Sequence, residues 1–309
     1  MEALRFTKGH GTENDFVLLA DPDGLLDLDA GLVAALCDRH AGIGGDGLIR
    51  VVRSDACQDP AAGPAHDDGA RWFMDYRNAD GSDAEMCGNG VRVFVSYLLR
   101  EGLVGEGDLT PEAPLAVGSR GGVKRVHRRP GPDGQPHFAV DMGTWRLTGG
   151  EPAVRDGYDA LVHVAGLDVA RPGLSLDLGN PHTVVVLTDS VDLDAAELHR
   201  APVVEPVPPA GTNVELVVME ESEPGPDGDV GRLRMRVHES GVGETRSCGT
   251  GACAAALAAR TWAGPGAPDR WLVDVPGGRV EVRVLAGDRV ELAGPAVLVA
   301  DGVVQLPAS

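Results

Sequence analysis

The feature that most constrains this chain is that it contains the same unit twice. Residues 85–102 read EMCGNGVRVFVSYLLREG and residues 246–264 read RSCGTGACAAALAARTWAG. Each runs Cys, Gly, polar residue, Gly, and then an apolar stretch of helical length that a glycine, Gly102 or Gly264, is placed to stop. The correspondence extends outward on both sides. A strand-like stretch precedes each cysteine, WFMDYRN over 72–78 and RLRMRVHE over 232–239, so that Asn78 and Glu239 both stand nine residues upstream of their cysteine. A glycine-opened hairpin follows each helix, over 121–143 around a PDG turn and over 277–296 around an AGD turn. Further upstream, GHGTENDFVLL over 9–19 and LGNPHTVVVL over 178–187 each set a polar Asn and His knot ahead of a strand. Features paired in the same order imply duplication, and duplication decides architecture before any single element does.

A helix that is apolar almost all round is one that a sheet curls about. Alanines at 252, 254, 255, 256, 258 and 259 would let strands approach the second helix closely. The expected fold is therefore α/β in the α+β sense, with two pseudo-symmetric domains, each a curled, mostly antiparallel sheet wrapped around a central helix. The division falls near Met142 and Gly143, giving domains 1–143 and 144–296, with a last strand in about 297–309 crossing back to the first half. The acidic, Pro-rich stretches 58–69 and 220–229 read as surface loops.

Composition removes several classes of function. Lys plus Arg number 27 against 47 Asp plus Glu, a net charge of −20 that repels a phosphate backbone, so no nucleic-acid partner is expected. Mean hydropathy is −0.07, and no apolar run approaches the ~20 residues that span a bilayer. The opening MEALRFTKGHGTENDF has no basic segment followed by an apolar one, which reads as a cytoplasmic protein with no membrane partner. The five cysteines, at 37, 57, 87, 248 and 253, form neither a disulfide scaffold nor the CxxC pairs of a zinc site, so no metal is expected.

Individual cysteines matter more. At a helix N-terminus a sulfur faces unsatisfied N–H groups and the positive end of the macrodipole, which favour a thiolate. Cys87 and Cys248 both occupy such positions, and the N–H groups of Gly88, Asn89, Gly249 and Thr250 can hold a substrate carboxylate. Two such sulfurs about one carbon would take a proton from one face and return one to the other, inverting a stereocentre without a cofactor. A single motif of this kind would be read as a small core hydrophobe; two matched copies point to a reactive pair. Cys37, Cys57 and Cys253 lack that context and read as structural. Asn14 and Asn180 either orient a ligand or serve as turn residues. His182 and Glu239 either tune thiolate ionisation or are ordinary hydrogen-bonding groups. His10 and His40 are not separable from structural histidines, and the GIGGDG run over 42–47 reads as a tight turn.

The stretches KGHGTENDFVLL, CDRHAGIGGDGLI, MDYRNADGSDAEMCGNGVR, LGNPHTVVV, GTNVELVV and GVGETRSCGTGACAAA resemble the diaminopimelate epimerase family, in order and across nearly the whole chain. The resemblance implies a cofactor-independent, two-base isomerase acting on a small amino-acid substrate in the cleft between two pseudo-symmetric domains. Its reaction would be conversion of LL-2,6-diaminopimelate to the meso form for lysine and peptidoglycan biosynthesis, in a cytoplasmic homodimer. Carried over residue by residue, it implies Cys87 and Cys248 as the acid/base pair and His182 and Glu239 as modulators of their ionisation. Asn14, Asn78, Asn180, Asn213, Glu239 and Ser240 would bind substrate, with Gly88, Asn89, Gly249 and Thr250 on the α-carboxylate. One position departs: the family pattern Glu-Arg-Gly reads Glu239-Ser240-Gly241 here. That arginine would grip the distal carboxylate bidentately, which a serine hydroxyl cannot do. A related racemase with a different substrate side chain is therefore the alternative reading. A non-catalytic amino-acid-binding protein would be expected to have lost one cysteine, and a thiol redox protein would keep its pair close in sequence.

Overall fold

Wherever the sequence alternates valine with polar residues the backbone is extended, and wherever Cys-Gly-x-Gly occurs it turns into a helix. The computed structural model describes residues 3–131, 134, 136–226 and 228–305. The chain divides into two compact units, Met1–Val140 with Gly294–Ser309, and Asp141–Ala293.

The first unit contains β1 (Ala3–Gly11), β2 (Asn14–Ala20), α1 (Ala30–Cys37), β3 (Gly47–Arg53), α2 (Ala62–Asp67), β4 (Trp72–Asn78), α3 (Gly88–Arg100), β5 (Leu115–Gly118), β6 (Lys124–Pro130) and β7 (Pro136–Thr144). The C-terminal strand Val297–Gln305 lies antiparallel on β1. From that strand through β1 to β7 the pairings run antiparallel, antiparallel, parallel, antiparallel, parallel, antiparallel, antiparallel. Helix α3 packs against β1, β2, β3, β4 and the C-terminal strand. Of the PDG turn between β6 and β7, Pro132 and Asp133 lie outside the described residues, as do residues 306–309.

The second unit contains β8 (Arg146–Leu147), α4 (Gly150–Asp156), β9 (Ala160–His163), β10 (Arg171–Asp177), β11 (Pro181–Leu187), α5 (Ser190–Ala195), β12 (Val203–Glu205), β13 (Asn213–Gly225), β14 (Gly228–Glu239), β15 (Gly243–Thr245), α6 (Gly249–Ala263), β16 (Arg270–Val275), β17 (Gly278–Leu285) and β18 (Arg289–Gly294). From β9 through β10, β11, β13, β14, β16 and β17 to β18 the order of antiparallel and parallel pairings repeats that of the first unit. Helix α6 packs on β10, β11, β13, β14, β16 and β17, and its alanines from Ala252 to Ala259 are buried. Small side chains let those strands close on it.

Two stretches read as loops are ordered differently. Helix α2 forms inside 58–69, with Ala62 and Ala65 buried against Phe73. The stretch 220–229 carries the ends of β13 and β14, which continue as a ribbon beyond a register shift between Glu220 and Glu223. Arg232 pairs with Glu220 and Glu223 there. A ribbon solvated on both faces shows no buried alternation, so its sequence looks like a loop.

Candidate active site

In the first unit Cys87 is the N-cap of α3. Its backbone is extended (φ −140°, ψ 120°), and its sulfur accepts the Gly90 N–H at 3.4 Å. The hairpin between β1 and β2 places Gly11 opposite Asn14, so only Thr12 and Glu13 make the turn, both at positive φ (50° and 61°). Twist-matched two-residue turns demand such angles, and Gly or Asn normally supplies them. Gly11 has its own reason to be glycine: a Cβ there would come 3.0 Å from the Asn89 carbonyl oxygen and from Arg92 Nη2. The turn is thereby seated on the mouth of α3, and Asn14 is aimed at it. Asn14 Oδ1 accepts from Cys87 Sγ at 3.4 Å and from Asn89 Nδ2 at 3.3 Å, while its Nδ2 donates to Asp46 Oδ2 at 2.7 Å. Asp46 belongs to the GIGGDG run, and the Arg39 guanidinium spans Asp46 and Asp15. Burial alone would raise the Asp15 carboxyl, but hydrogen bonds and charge from Arg39 and Lys8 override it and hold it at about 2. Arg92, wholly buried in α3, donates to Asn89 Oδ1 at 2.7 Å and to the carbonyl of Gly88 at 3.3 Å. Asn78, at the end of β4, turns its Nδ2 to Ser82 Oγ at 2.9 Å.

The second unit builds the same motif around α6. Cys248 is its N-cap (φ −118°, ψ 118°); the sulfur accepts the Gly251 N–H at 3.3 Å and lies 3.6 Å from Thr250 Oγ1. Beside it runs a chain of polar contacts. Glu215 Oε1 lies 2.7 Å from His182 Nδ1, His182 Nε2 lies 3.1 Å from Asn180 Oδ1, and Asn180 Nδ2 donates to Thr250 Oγ1 at 3.4 Å. Asn213, opposite His182 in the parallel β11 and β13 pair, accepts the Ser240 N–H at 2.9 Å. The exposed Ser240 rests its hydroxyl against Gly211, where a Cβ would come within 2.8 Å of it. Glu239 accepts from Thr245 Oγ1 and hydrogen-bonds Cys248.

Ionisation at α6 runs against the simple helix-dipole expectation. Complete burial, and after it the charges of Glu239 and Glu215, push the Cys248 thiol well up, although Thr250 and the Gly251 N–H pull the other way. Burial likewise raises the Glu239 carboxyl, against hydrogen bonds from Thr245 and Cys248. Desolvation outweighs a partial dipole charge when the sulfur is enclosed. Of the remaining thiols, Cys37 and Cys253 are buried and Cys57 is half-buried; burial raises Cys37 to about 11 and also raises Cys57. His10 serves the hairpin, its Nδ1 accepting the Glu13 N–H at 3.2 Å. His40 is exposed.

The structure thus gathers Asn14, Cys87, Gly88 and Asn89 at one helix mouth, and Asn180, His182, Glu239, Cys248, Gly249 and Thr250 at the other. Sequence reasoning missed Asp46, Arg39 and Arg92 in the first unit, and Glu215 and Thr245 in the second. The stretches GIGGDG and GTNVELVV contained Asp46 and Glu215, but their partners lie about thirty residues away in sequence. Among the described residues no group of three or more His, Cys, Asp and Glu side chains could hold a metal ion, and no helix is long and apolar enough to cross a membrane.

The family model described as diaminopimelate epimerase matches residues 6–147 and 174–299. A diaminopimelate epimerase of Thermobifida fusca is 49% identical over 99% of both chains, and one of Streptomyces coelicolor is 47% identical over 97% of this chain and 94% of its own. Among solved structures, a Bacillus anthracis phenazine biosynthesis protein of the PhzF family superposes with TM-score 0.67 at 14% identity, covering 99% of this chain and 100% of its own. An Agrobacterium vitis hydroxyproline epimerase does so with TM-score 0.57 at 15% identity, covering 98% and 92%. The two structures share the fold; the two sequences and the family model carry more, and by them this chain belongs to the diaminopimelate epimerase family.

Proposed function

We propose that this protein is the isomerase that converts LL-diaminopimelate to the meso form, with Cys87 and Cys248 as its two proton carriers. The observation that carries the reading is the repeated sulfur N-cap: two helices each begin with a cysteine that accepts a backbone N–H and is surrounded by amides and glycines. A thiolate on one face takes the α-proton; the electron pair is delocalised into the α-carboxylate, and the thiol on the opposite face delivers its proton to the same carbon. One C–H bond breaks and one forms, with no change of oxidation state, so the step requires no electron acceptor. The helix N-terminal N–H groups around Gly88, Asn89, Gly249 and Thr250 stabilise the charge that accumulates on the carboxylate. Burial and the neighbouring carboxylates favour the neutral form of Cys248, the form that can give up a proton.

Asn14, Asn78, Asn180, Asn213 and Glu239 are the proposed ligands of the rest of the substrate, with His182 holding Asn180. Ser240 stands where the family pattern has its arginine, so the distal carboxylate is held here by amides and hydroxyls. The names of the relatives favour diaminopimelate over a racemase for another side chain. The same family reading gives a cytoplasmic homodimer, whose two-chain state light scattering of the purified protein tests directly. The reaction is tested by incubating the protein with LL-diaminopimelate in D2O. We expect meso product carrying deuterium at the inverted carbon; a panel of other amino acids that exchange their α-proton while diaminopimelate does not would replace this substrate.

A further inference from the structure

The two units can be aligned on their parallel strand pairs, because Phe16 lies opposite Gly47 as His182 lies opposite Asn213. The alignment sets Phe16 against His182 and Ile49 against Glu215. Both pairs lie beneath the first turn of their helix. A Cβ on Gly90 would meet Ile49 Cδ1 at 3.4 Å and Phe16 Cζ at 3.5 Å; a Cβ on Gly251 would meet Glu215 Oε1 at 2.7 Å. The fold therefore builds this position once from two hydrocarbons and once from an imidazole and a carboxylate, all buried. Desolvating the second pair costs stability that the first does not, and Glu215 Oε2 has no hydrogen-bond partner among the described residues. Packing alone does not account for Glu215.

We propose that Glu215 is a positioning residue for the Cys248 half of the site: it anchors His182 at Nδ1, so that Nε2–H holds the Asn180 side-chain oxygen and directs the Asn180 NH2 toward the mouth of α6. The inference rests on the two-cysteine reading above. The hydrogen-bond logic is closed. Asn180 Oδ1 only accepts, so His182 Nε2 must carry a hydrogen, and the 2.7 Å contact at Nδ1 requires a second proton shared with Glu215. A neutral amide at 215 can accept from Nδ1–H but cannot support a ring protonated at both nitrogens. Either the amide oxygen accepts from Nδ1–H, so that Nε2 presents a lone pair and Asn180 flips its oxygen away, or the amide NH2 donates to a bare Nδ1 and a neutral Nε2–H holds Asn180 without charge assistance; both loosen the grip on Asn180.

Three measurements test this. Glu215→Gln should fold with an unchanged melting temperature and lose about 10- to 100-fold in kcat/KM for LL-diaminopimelate, the scale seen when a partner that fixes a histidine is removed. In the 1H NMR spectrum the wild-type protein should show a strongly deshielded ring N–H, absent in His182→Gln and moved upfield in Glu215→Gln. The double variant His182→Phe/Glu215→Ile copies the pair of the first unit; it should fold at least as stably as wild type and be inactive. Wild-type kcat/KM in Glu215→Gln, an unmoved or missing ring proton, or full turnover in the double variant would each overturn the proposal. Cys248→Ala separates the two readings: if it is inactive while Glu215→Gln is normal, only the role of Glu215 fails, whereas an active Cys248→Ala removes the two-cysteine reading itself.

Discussion

The two helix mouths share a backbone and differ in how their polar groups are supported. At α3 the asparagine that faces the cysteine is held from outside, by Asp46, which Arg39 in turn holds, both exposed; the interior beneath is Phe16 and Ile49. At α6 the asparagine is held from inside, by His182 and Glu215, both buried, and the cysteine is enclosed as well. The difference teaches that duplication supplied the geometry while the chemistry of each half was set afterwards. An exposed support is screened and leaves its sulfur's surroundings open to water; a buried one fixes a protonation pattern.

The comparison makes five predictions. The largest effect belongs to the sulfurs, because each half carries one proton: Cys87→Ala and Cys248→Ala should each lower kcat about 10³-fold or more, measured by the LL-to-meso conversion, with folded circular-dichroism spectra. Placing the carboxylate of the second half into the first comes next. Ile49→Glu should destabilise by about 3–5 kcal/mol in urea unfolding, since a buried charge is left unpaired, and adding Phe16→His should recover part of the loss. Third, Ser240→Arg should raise kcat/KM for LL-diaminopimelate about tenfold or more, a distal carboxylate gaining a bidentate partner; unchanged kinetics would show that the site grips that carboxylate elsewhere. The smallest effects concern the exposed support and the enclosed thiol. Asp46→Asn should raise KM a few-fold, in keeping with a surface contact of at most about 1 kcal/mol.

The fifth prediction concerns pH. The folded Cys248 thiol is raised above its ordinary value of 9.0, so the stability it contributes is fully present below that pH and is lost as pH climbs through the folded value. Unfolding free energy should therefore fall above about pH 9 more steeply in the wild type than in Cys248→Ser.

Much of this molecule was legible from one sequence, for reasons that can be named. The Cys-Gly-x-Gly repeats, the strands at 72–78 and within 232–239, and the hairpin at 277–296 show through because they are local: a cap, an alternation, a turn. Asn14 and Asn180 were noticed because each precedes a strand. Glu215 is one letter of GTNVELVV and Asp46 part of a glycine turn, and neither stands out alone because what gives each its meaning is a partner on a neighbouring strand or loop. The direction of the Cys248 shift is hidden from the sequence for a related reason. A helix dipole can be inferred from chain position, but the desolvation that overrides it depends on how closely the alanine-rich α6 is enclosed.

Capping a helix with sulfur has a kinetic consequence. In the proposed reaction a proton enters at one cap and leaves at the other, so the protein that releases meso product has its charges exchanged relative to the protein that bound the LL isomer. It is then set for the reverse reaction and must pass a proton between caps, or to and from solvent, before it can repeat the forward one. The two helix ends in this way hold a record of the last turnover. At high substrate concentration the rate of erasing that record, rather than the breaking of the α-carbon bond, would set the pace.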